Sequence, residues 1–128
     1  MKLLLDTHAF IWWASEPDKL SLQALSMCQD QENSLLLSVA SVWEMQIKLQ
    51  LGKLRLNLPL ADVIAGQRQT NGVEVLPIRL EHVLALDTLP AYHKDPFDRL
   101  LVAQAQVEGL ALVSSDSVFG RYPARIIW

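Results

Sequence analysis

The sequence predicts an α/β domain in which a parallel sheet carries helices on both faces. Short apolar runs of strand character alternate with longer segments of helical periodicity, and Gly and Pro occur singly between them. Strands separated by helices run parallel and are joined by right-handed crossovers, so both faces of the sheet are covered. The predicted strands are residues 2–6, 34–38, 73–76, 110–113 and 124–127, and the predicted helices are residues 7–14, 20–31, 40–51, 60–70, 80–87 and 96–108.

Length and composition indicate one folded domain spanning residues 1–128. Of the 128 residues, 51% are hydrophobic and 20% are charged, which is enough apolar material for a core. No repeat or linker-like tract divides the chain. No apolar stretch approaches the ~18 residues that span a bilayer. Asp6 and His8 interrupt the N-terminal leucine run, which a signal peptide would not tolerate. We therefore expect a cytoplasmic protein with no membrane partner.

The first strand and the third helix each place a carboxylate near a strand end. Asp6 directly follows the apolar run 3–5, where it can cap the next helix or face a site at the carboxyl edge of the sheet. Ser41 and Glu44 have capping-box spacing and predict the start of a helix that ends near Gly52. Glu44 is therefore expected in the first turn of that helix, just after the second strand.

The sixth helix and the fourth strand add two more acids. Asp95 and Pro96 predict an N-cap and a first-turn proline, and Gly109 predicts the end of the helix. Asp98 would lie in the first turn, where it can also complete a capping box with Asp95. Asp116 follows the fourth strand and could form a local Asx turn.

Each of these acids has an ordinary structural explanation, but their positions predict that all four meet in one crevice. Two carboxylates about 5 Å apart repel by roughly 3 kcal/mol at an effective dielectric constant near 20. Such a cluster requires protons or a cation. Oxygen donors favour Mg²⁺ or Mn²⁺ over Zn²⁺. The predicted metal-binding and catalytic residues are Asp6, Glu44, Asp98 and Asp116.

Other common chemistries lack support in the sequence. Cys28 is the only cysteine, which excludes an intramolecular disulfide and a cysteine-rich metal site. His8, His82 and His93 show no i, i+4 pairing, so His8 and His93 are expected to contact substrate or other site residues rather than metal. Motifs for a serine hydrolase, a dinucleotide-binding turn and a P-loop are all missing.

The segments around the acids resemble those of the PIN-domain family, in particular the VapC-type toxin ribonucleases of type II toxin–antitoxin systems. The similar segments follow the family order along nearly the whole chain, and they are residues 4–8, 38–44 with Lys48 and 51–54, 93–105 and 112–116. The resemblance implies a three-layer α/β/α sandwich with a parallel five-stranded sheet. It also implies an acidic pocket at the carboxyl edge of the strands.

By this resemblance the chain would be a metal-dependent endoribonuclease that hydrolyses RNA phosphodiester bonds and is silenced by a small antitoxin. The four acids would bind Mg²⁺ or Mn²⁺, which would orient the attacking water and stabilise the leaving oxygen. Lys48 and Arg99 could hold RNA phosphates or pair with acids. The side chains expected to contact substrate or support the acids are Thr7, His8, Lys48, His93, Asp95, Arg99 and Ser114.

Alternatives to a toxin stay open at this point. A net charge of −3 predicts no broad basic surface for nucleic acid. Four tryptophans predict apolar surface covered by a partner, such as a second copy in a homodimer. The chain could therefore be a weakly catalytic interaction module of this fold, or a housekeeping nuclease without an antitoxin. A phosphatase of the haloacid dehalogenase type is disfavoured because His8 replaces its second Asp. We expect Trp43 to be buried and Trp128 to pack on a helix or a partner.

Overall fold

The computed structural model describes residues 1–128, and its five strands form one parallel sheet with the order β3-β2-β1-β4-β5. The strands are β1 (Lys2–Leu5), β2 (Ser34–Ser38), β3 (Glu74–Leu76), β4 (Ala111–Val113) and β5 (Ile126–Ile127). The helices are α1 (Thr7–Ser15), α2 (Leu22–Gln29), α3 (Val39–Gln50), α4 (Leu60–Asn71), α5 (Leu80–Leu84) and α6 (Pro96–Glu108). The predicted α/β/α fold with a parallel five-stranded sheet is confirmed.

Strand β1 lies at the centre of the sheet, between β2 and β4. Leu4 aligns with Leu36 of β2 and with Leu112 of β4, and all of these strands run in the same direction. Leu3 and Leu5 contribute to the core on one face of the sheet, whereas Leu4 contributes to the core on the other face. A strand buried on both faces needs a continuous apolar run, which explains the leucines at the N-terminus.

The two cores account for the three layers. The first core joins one sheet face to α1 and α2, with Phe10, Ala24 and Cys28 buried in it. Burial raises the pKa of the Cys28 thiol to about 11, so this cysteine is not an activated nucleophile. The second core joins the opposite face to α6 through Leu101 and Val102.

The predicted ends of α6 are confirmed. The Asp95 carboxylate accepts hydrogen bonds from the backbone N–H groups of Phe97 and Asp98, at 2.8 and 3.1 Å. Gly109 follows the last residue of the helix with φ of 67°, the left-handed conformation that glycine adopts without strain. Both ends are therefore determined by residues within or next to the helix.

The predicted capping box of α3 is wrong. Ser38, the last residue of β2, is the N-cap, and its hydroxyl accepts a hydrogen bond from the Ala40 N–H at 3.0 Å. Ser41 is buried inside the helix, and its hydroxyl has no hydrogen-bond partner. Glu44 therefore lies in the second turn rather than the first. The helix starts earlier than predicted because the strand itself ends in a capping residue.

Several other boundaries differ from the predictions by a few residues. The segment predicted as helix 20–31 contains α2, which starts later because the Ser21 hydroxyl accepts from the Ala24 N–H at 3.0 Å. The segment predicted as helix 80–87 divides into α5 and a 3₁₀ turn. Strands β3, β4 and β5 are shorter than predicted, since β5 pairs only with Leu112 and Val113.

The tryptophans divide between core and surface. Trp43 is 59% exposed, so the prediction that it is buried is wrong. On α3 the buried residues are Ala40, Ser41, Glu44 and Met45, which places Trp43 on the opposite side. Trp128 packs on α1, as expected, with its ring centroid 5.8 Å from that of Trp12. None of the six helices combines the length and apolar character needed to cross a lipid bilayer.

Candidate active site

Asp6 lies at the carboxyl edge of the sheet, directly after β1. Its backbone N–H donates to the Val113 carbonyl of β4 at 3.0 Å, which ties it to the neighbouring strand end. Its carboxylate caps α1 by accepting from the Ala9 N–H at 2.7 Å. Burial raises the pKa of Asp6, although the Ser114 hydroxyl and the Ala9 N–H favour its ionised form. The capping role and a place in an acidic pocket are therefore compatible.

Glu44 projects from α3 towards α1 and is only 8% exposed. Its Oε1 accepts a hydrogen bond from the Thr7 hydroxyl at 2.7 Å. Its Oε2 pairs with the Lys48 ammonium at 2.8 Å, one helical turn further along α3. Because each carboxylate oxygen has one partner, the orientation of this buried carboxylate is determined by two different helices.

Asp98 is the least satisfied of the four acids. It lies half-buried in the first turn of α6, and its carboxylate accepts no hydrogen bond from the protein. Burial and the nearby Asp95 carboxylate raise the pKa of Asp98 to about 6, and Glu44 and Asp116 contribute in the same direction. A cation beside this carboxylate would relieve both the desolvation and the repulsion.

Asp116 is held by two donors after β4. Its Oδ1 accepts from the Val118 N–H at 3.0 Å, the local turn expected from the sequence, and its Oδ2 lies 2.9 Å from Nε2 of His93. Burial alone would raise the pKa of Asp116, but the hydrogen bonds from His93 and Val118 outweigh it and lower the pKa. Asp116 and Asp98 thus have opposite pKa shifts in one site.

His93 is fixed from several sides. Its backbone N–H donates to the Tyr122 hydroxyl at 2.9 Å, and its ring stacks on the Tyr122 ring with an interplanar angle of 4°. The Phe119 ring lies 4.3 Å from the imidazole, centroid to centroid. The donor atoms of His93, Asp98 and Asp116 lie within 4.8 Å of one another, close enough to share one metal ion.

The four predicted acids occupy one electrostatic neighbourhood but not one compact donor set. The charge of Glu44 acts on both Asp6 and Asp98, and the charge of Asp116 acts on Asp98. Only Asp98 and Asp116 belong to the three-residue cluster, which they form with His93. The imidazole adds a nitrogen donor to a set that the sequence predicted as all-oxygen. Such a mixed set fits Mn²⁺ and other transition ions, and its carboxylates fit Mg²⁺.

The supporting residues take distinct places. Asp95 acts as a helix cap, Thr7 and Lys48 hold Glu44, and Ser114 lies beside Asp6. The predicted role of Arg99 in holding phosphate or pairing with an acid is wrong. Its guanidinium donates to the backbone carbonyls of Leu86, Leu89 and Pro90 at 3.2–3.4 Å, so it fastens the segment that precedes α6.

A basic cleft of about 480 Å³ lies beside this site and was not predicted from the sequence. His8, at the start of α1, is exposed on its wall. The only local signal was the spacing of basic residues between positions 48 and 55. The residues that contribute charge to the basic cleft are Lys19, Lys48, Lys53, Arg55 and Glu16.

Comparison with protein families shows a match to the PIN domain over residues 3–125. Among curated proteins, the chain is 29% identical to Ribonuclease VapC22 of Mycobacterium tuberculosis (strain ATCC 25618 / H37Rv) over 115 residues. The match covers 89% of this chain and 86% of that protein.

Solved structures show the same fold at low sequence identity. VapBC2 from Rickettsia felis, bound to a DNA fragment from its promoter, matches with a TM-score of 0.71 and 14% identity, covering 98% of this chain and 97% of that one. A toxin–antitoxin complex from Klebsiella pneumoniae matches with a TM-score of 0.59 and 16% identity, covering 94% and 92% of the two chains. At such identities the likeness establishes the architecture alone.

Proposed function

As this chain belongs to the PIN domain family, we propose that it is a metal-dependent endoribonuclease that hydrolyses RNA phosphodiester bonds and acts as the toxin of a toxin–antitoxin pair. The observation that carries the proposal is the cluster of Asp98, Asp116 and His93, whose donor atoms lie within 4.8 Å of one another. The likeness to a curated ribonuclease supports the substrate class. An RNA substrate agrees with a cytoplasmic location.

The residues of the site fit a divalent cation. Asp98 has a carboxylate without a hydrogen-bond partner and with a raised pKa, and Asp116 and His93 lie next to it. These three side chains would hold Mg²⁺ or Mn²⁺. When bound, the ion would supply Lewis acidity for the phosphate and for the attacking water.

Asp6 and Glu44 have a complementary role in this proposal. Both are buried at the same edge of the sheet, and both are held by groups from α1. Their remaining lone pairs would orient the attacking water and accept its proton. Lys48 balances the charge of Glu44 and limits its repulsion of Asp98.

Asp98→Asn tests the proposal, with Asp62→Asn as a matched control. Both acids are the third residue of a helix, but Asp62 is exposed and distant from the acidic cluster. We expect Asp98→Asn to reduce cleavage of a labelled single-stranded RNA in Mn²⁺ by about 100-fold or more, comparable to the loss of one key electrostatic group. Asp62→Asn should cleave like the parent. Equal cleavage by Asp98→Asn and the parent, or full parental activity in excess EDTA, would contradict the proposal.

The proposal includes self-association, supported by an exposed aromatic pair next to two of the acids. Trp43 precedes Glu44, Phe97 precedes Asp98, and the two rings form an edge-to-face contact with centroids 5.2 Å apart. An exposed pair of this kind is typical of a surface that a partner covers. We expect Trp43→Ser to shift the protein from dimer to monomer in sedimentation. A parent that is monomeric at tens of micromolar would contradict this part.

A further inference from the structure

The basic cleft concentrates positive charge in a chain that is acidic overall. Lys19, Lys48, Lys53 and Arg55 line it, with Glu16 as the single acid. The chain as a whole has 11 basic and 14 acidic residues. Since the net charge is negative, attraction for a polyanion must come from a local surface, and the basic cleft is such a surface.

Most of this charge is available to a ligand. Lys53 and Arg55 are exposed and have no acidic partner within ion-pair distance. Lys19 pairs with Glu16 at 2.7 Å, but both side chains are more than half exposed. Exposed pairs of this kind contribute little to stability, so a phosphate can replace the Glu16 carboxylate at small cost.

The basic cleft is continuous with the candidate active site. Lys48 lines the cleft and also pairs with the buried Glu44 at 2.8 Å. His8 lines the cleft from α1, two residues after Asp6. A strand whose scissile phosphate lies at the acids would therefore extend its flanking phosphates along the cleft.

An aromatic wall accompanies the cations. Trp12 lines the basic cleft and is partly exposed, and its ring lies 5.8 Å from the His8 ring at an angle of 41°. A positive groove with an accessible aromatic ring is the arrangement by which proteins bind single-stranded nucleic acid. Stacking on such a ring contributes about 1–3 kcal/mol per base.

We propose that the basic cleft binds the backbone of single-stranded RNA next to the scissile bond. Lys19, Lys53 and Arg55 contact successive phosphates, and a base stacks on Trp12. The inference rests on the proposed ribonuclease function and adds to it the path of the substrate. An acidic protein segment would meet the same cations, but the continuity with the acids and the aromatic wall favour RNA.

The test compares two triple variants with the same loss of charge. Lys19→Gln, Lys53→Gln and Arg55→Gln are combined in the cleft variant, and Lys2→Gln, Arg68→Gln and Arg125→Gln, all exposed and outside the cleft, form the control. The affinity for a fluorescein-labelled 12-nucleotide oligouridylate is measured by anisotropy in EDTA, between 0.05 and 0.3 M KCl. Because cleavage is blocked without metal, the measurement reports binding alone.

We expect the cleft variant to bind about tenfold or more weakly at 0.1 M salt. Its log Kd against log salt slope should fall by about 2, since each lost phosphate contact on a single strand removes about 0.7. The control should stay within about twofold of the parent. Equal losses in both variants, or an unchanged slope in the cleft variant, would overturn the proposal. A 12-residue polyglutamate that binds as tightly as the RNA, through the same three cations, would overturn it in favour of an acidic protein segment.

These outcomes are separable from failure of the ribonuclease proposal. If Asp98→Asn cleaves RNA like the parent while the cleft variant loses binding, the catalytic assignment fails and the RNA path stands. If Asp98→Asn loses cleavage while the cleft variant binds normally, the opposite holds.

Discussion

Replacing Asp98 by Asn should make the metal-free protein more stable at pH 8. Asn has nearly the same shape and removes only the charge, and the Asp98 carboxylate accepts no hydrogen bond that would be lost. Asp98 is buried beside other acids, so its charge opposes folding. A substitution that abolishes the proposed activity is thus expected to stabilise the fold.

The magnitude follows from the pKa of Asp98, which rises from 3.8 to about 6 on folding. One pKa unit corresponds to about 1.4 kcal/mol, so the upper limit is about 3 kcal/mol. Partial exposure of the carboxylate to solvent reduces this to about 1–2 kcal/mol. The α6 dipole favours a first-turn carboxylate by ~0.3–1 kcal/mol, which is smaller. The net gain of about 1 kcal/mol should raise Tm by roughly 3–8 °C.

The sign of the pH dependence distinguishes this explanation from a general packing effect. Because the folded-state pKa of Asp98 lies above its unfolded value, the penalty is absent below pH 4. It grows as pH rises from about 4 to 6 and is complete at higher pH. Asp98→Asn should therefore be more stable than the parent at pH 8 and equally stable at pH 4.

Urea unfolding in EDTA at both pH values is the assay, with Asp62→Asn as the control for the helix dipole. Millimolar Mn²⁺ should reverse the order at pH 8, since it binds the folded parent and not the variant. An Asp98→Asn variant that is less stable than the parent at pH 8, or stabilised equally at pH 4, would refute the reasoning.

Two further substitutions test how the site and the helices are held. Thr7→Val should destabilise the fold by about 1–3 kcal/mol in urea unfolding, because the buried Glu44 carboxylate loses its hydroxyl donor, whereas Thr7→Ser should retain most of the stability. Gly109→Ala should cost about 1–2 kcal/mol because φ is 67°, while Gly66→Ala, inside α4 with open space around it, should add about 0.5–1 kcal/mol; equal effects would contradict this.

The secondary structure was predicted best where its signals are local. The ends of α6 depend on Asp95 and Gly109, which act on neighbouring residues, and both were identified correctly. The capping box at Ser41 and Glu44 had equally good spacing but was wrong. Ser38 stands three residues earlier at the end of β2 and takes the capping role, which only the extent of the strand reveals.

The candidate site was predicted in outline, because the position of each acid after a strand or near a helix start is visible in the sequence. Its inner contacts were not predictable in the same way. His93 lies in an irregular segment, where no periodicity indicates that its ring reaches Asp116. Arg99 was assigned to phosphate or an acid because of its charge, yet its partners are backbone carbonyls that the sequence does not distinguish.

The central position of β1 has a consequence for biosynthesis. The first strand to leave the ribosome is completed on one side by β4, so Asp6 waits for almost the whole chain before its neighbour Asp116 arrives. At a synthesis rate of about 5–20 residues per second, this interval is roughly 6–22 s. During that time the nascent chain has no assembled acidic pocket. A nuclease built on this strand order therefore cannot cleave RNA while it is still being translated as far as Asp116.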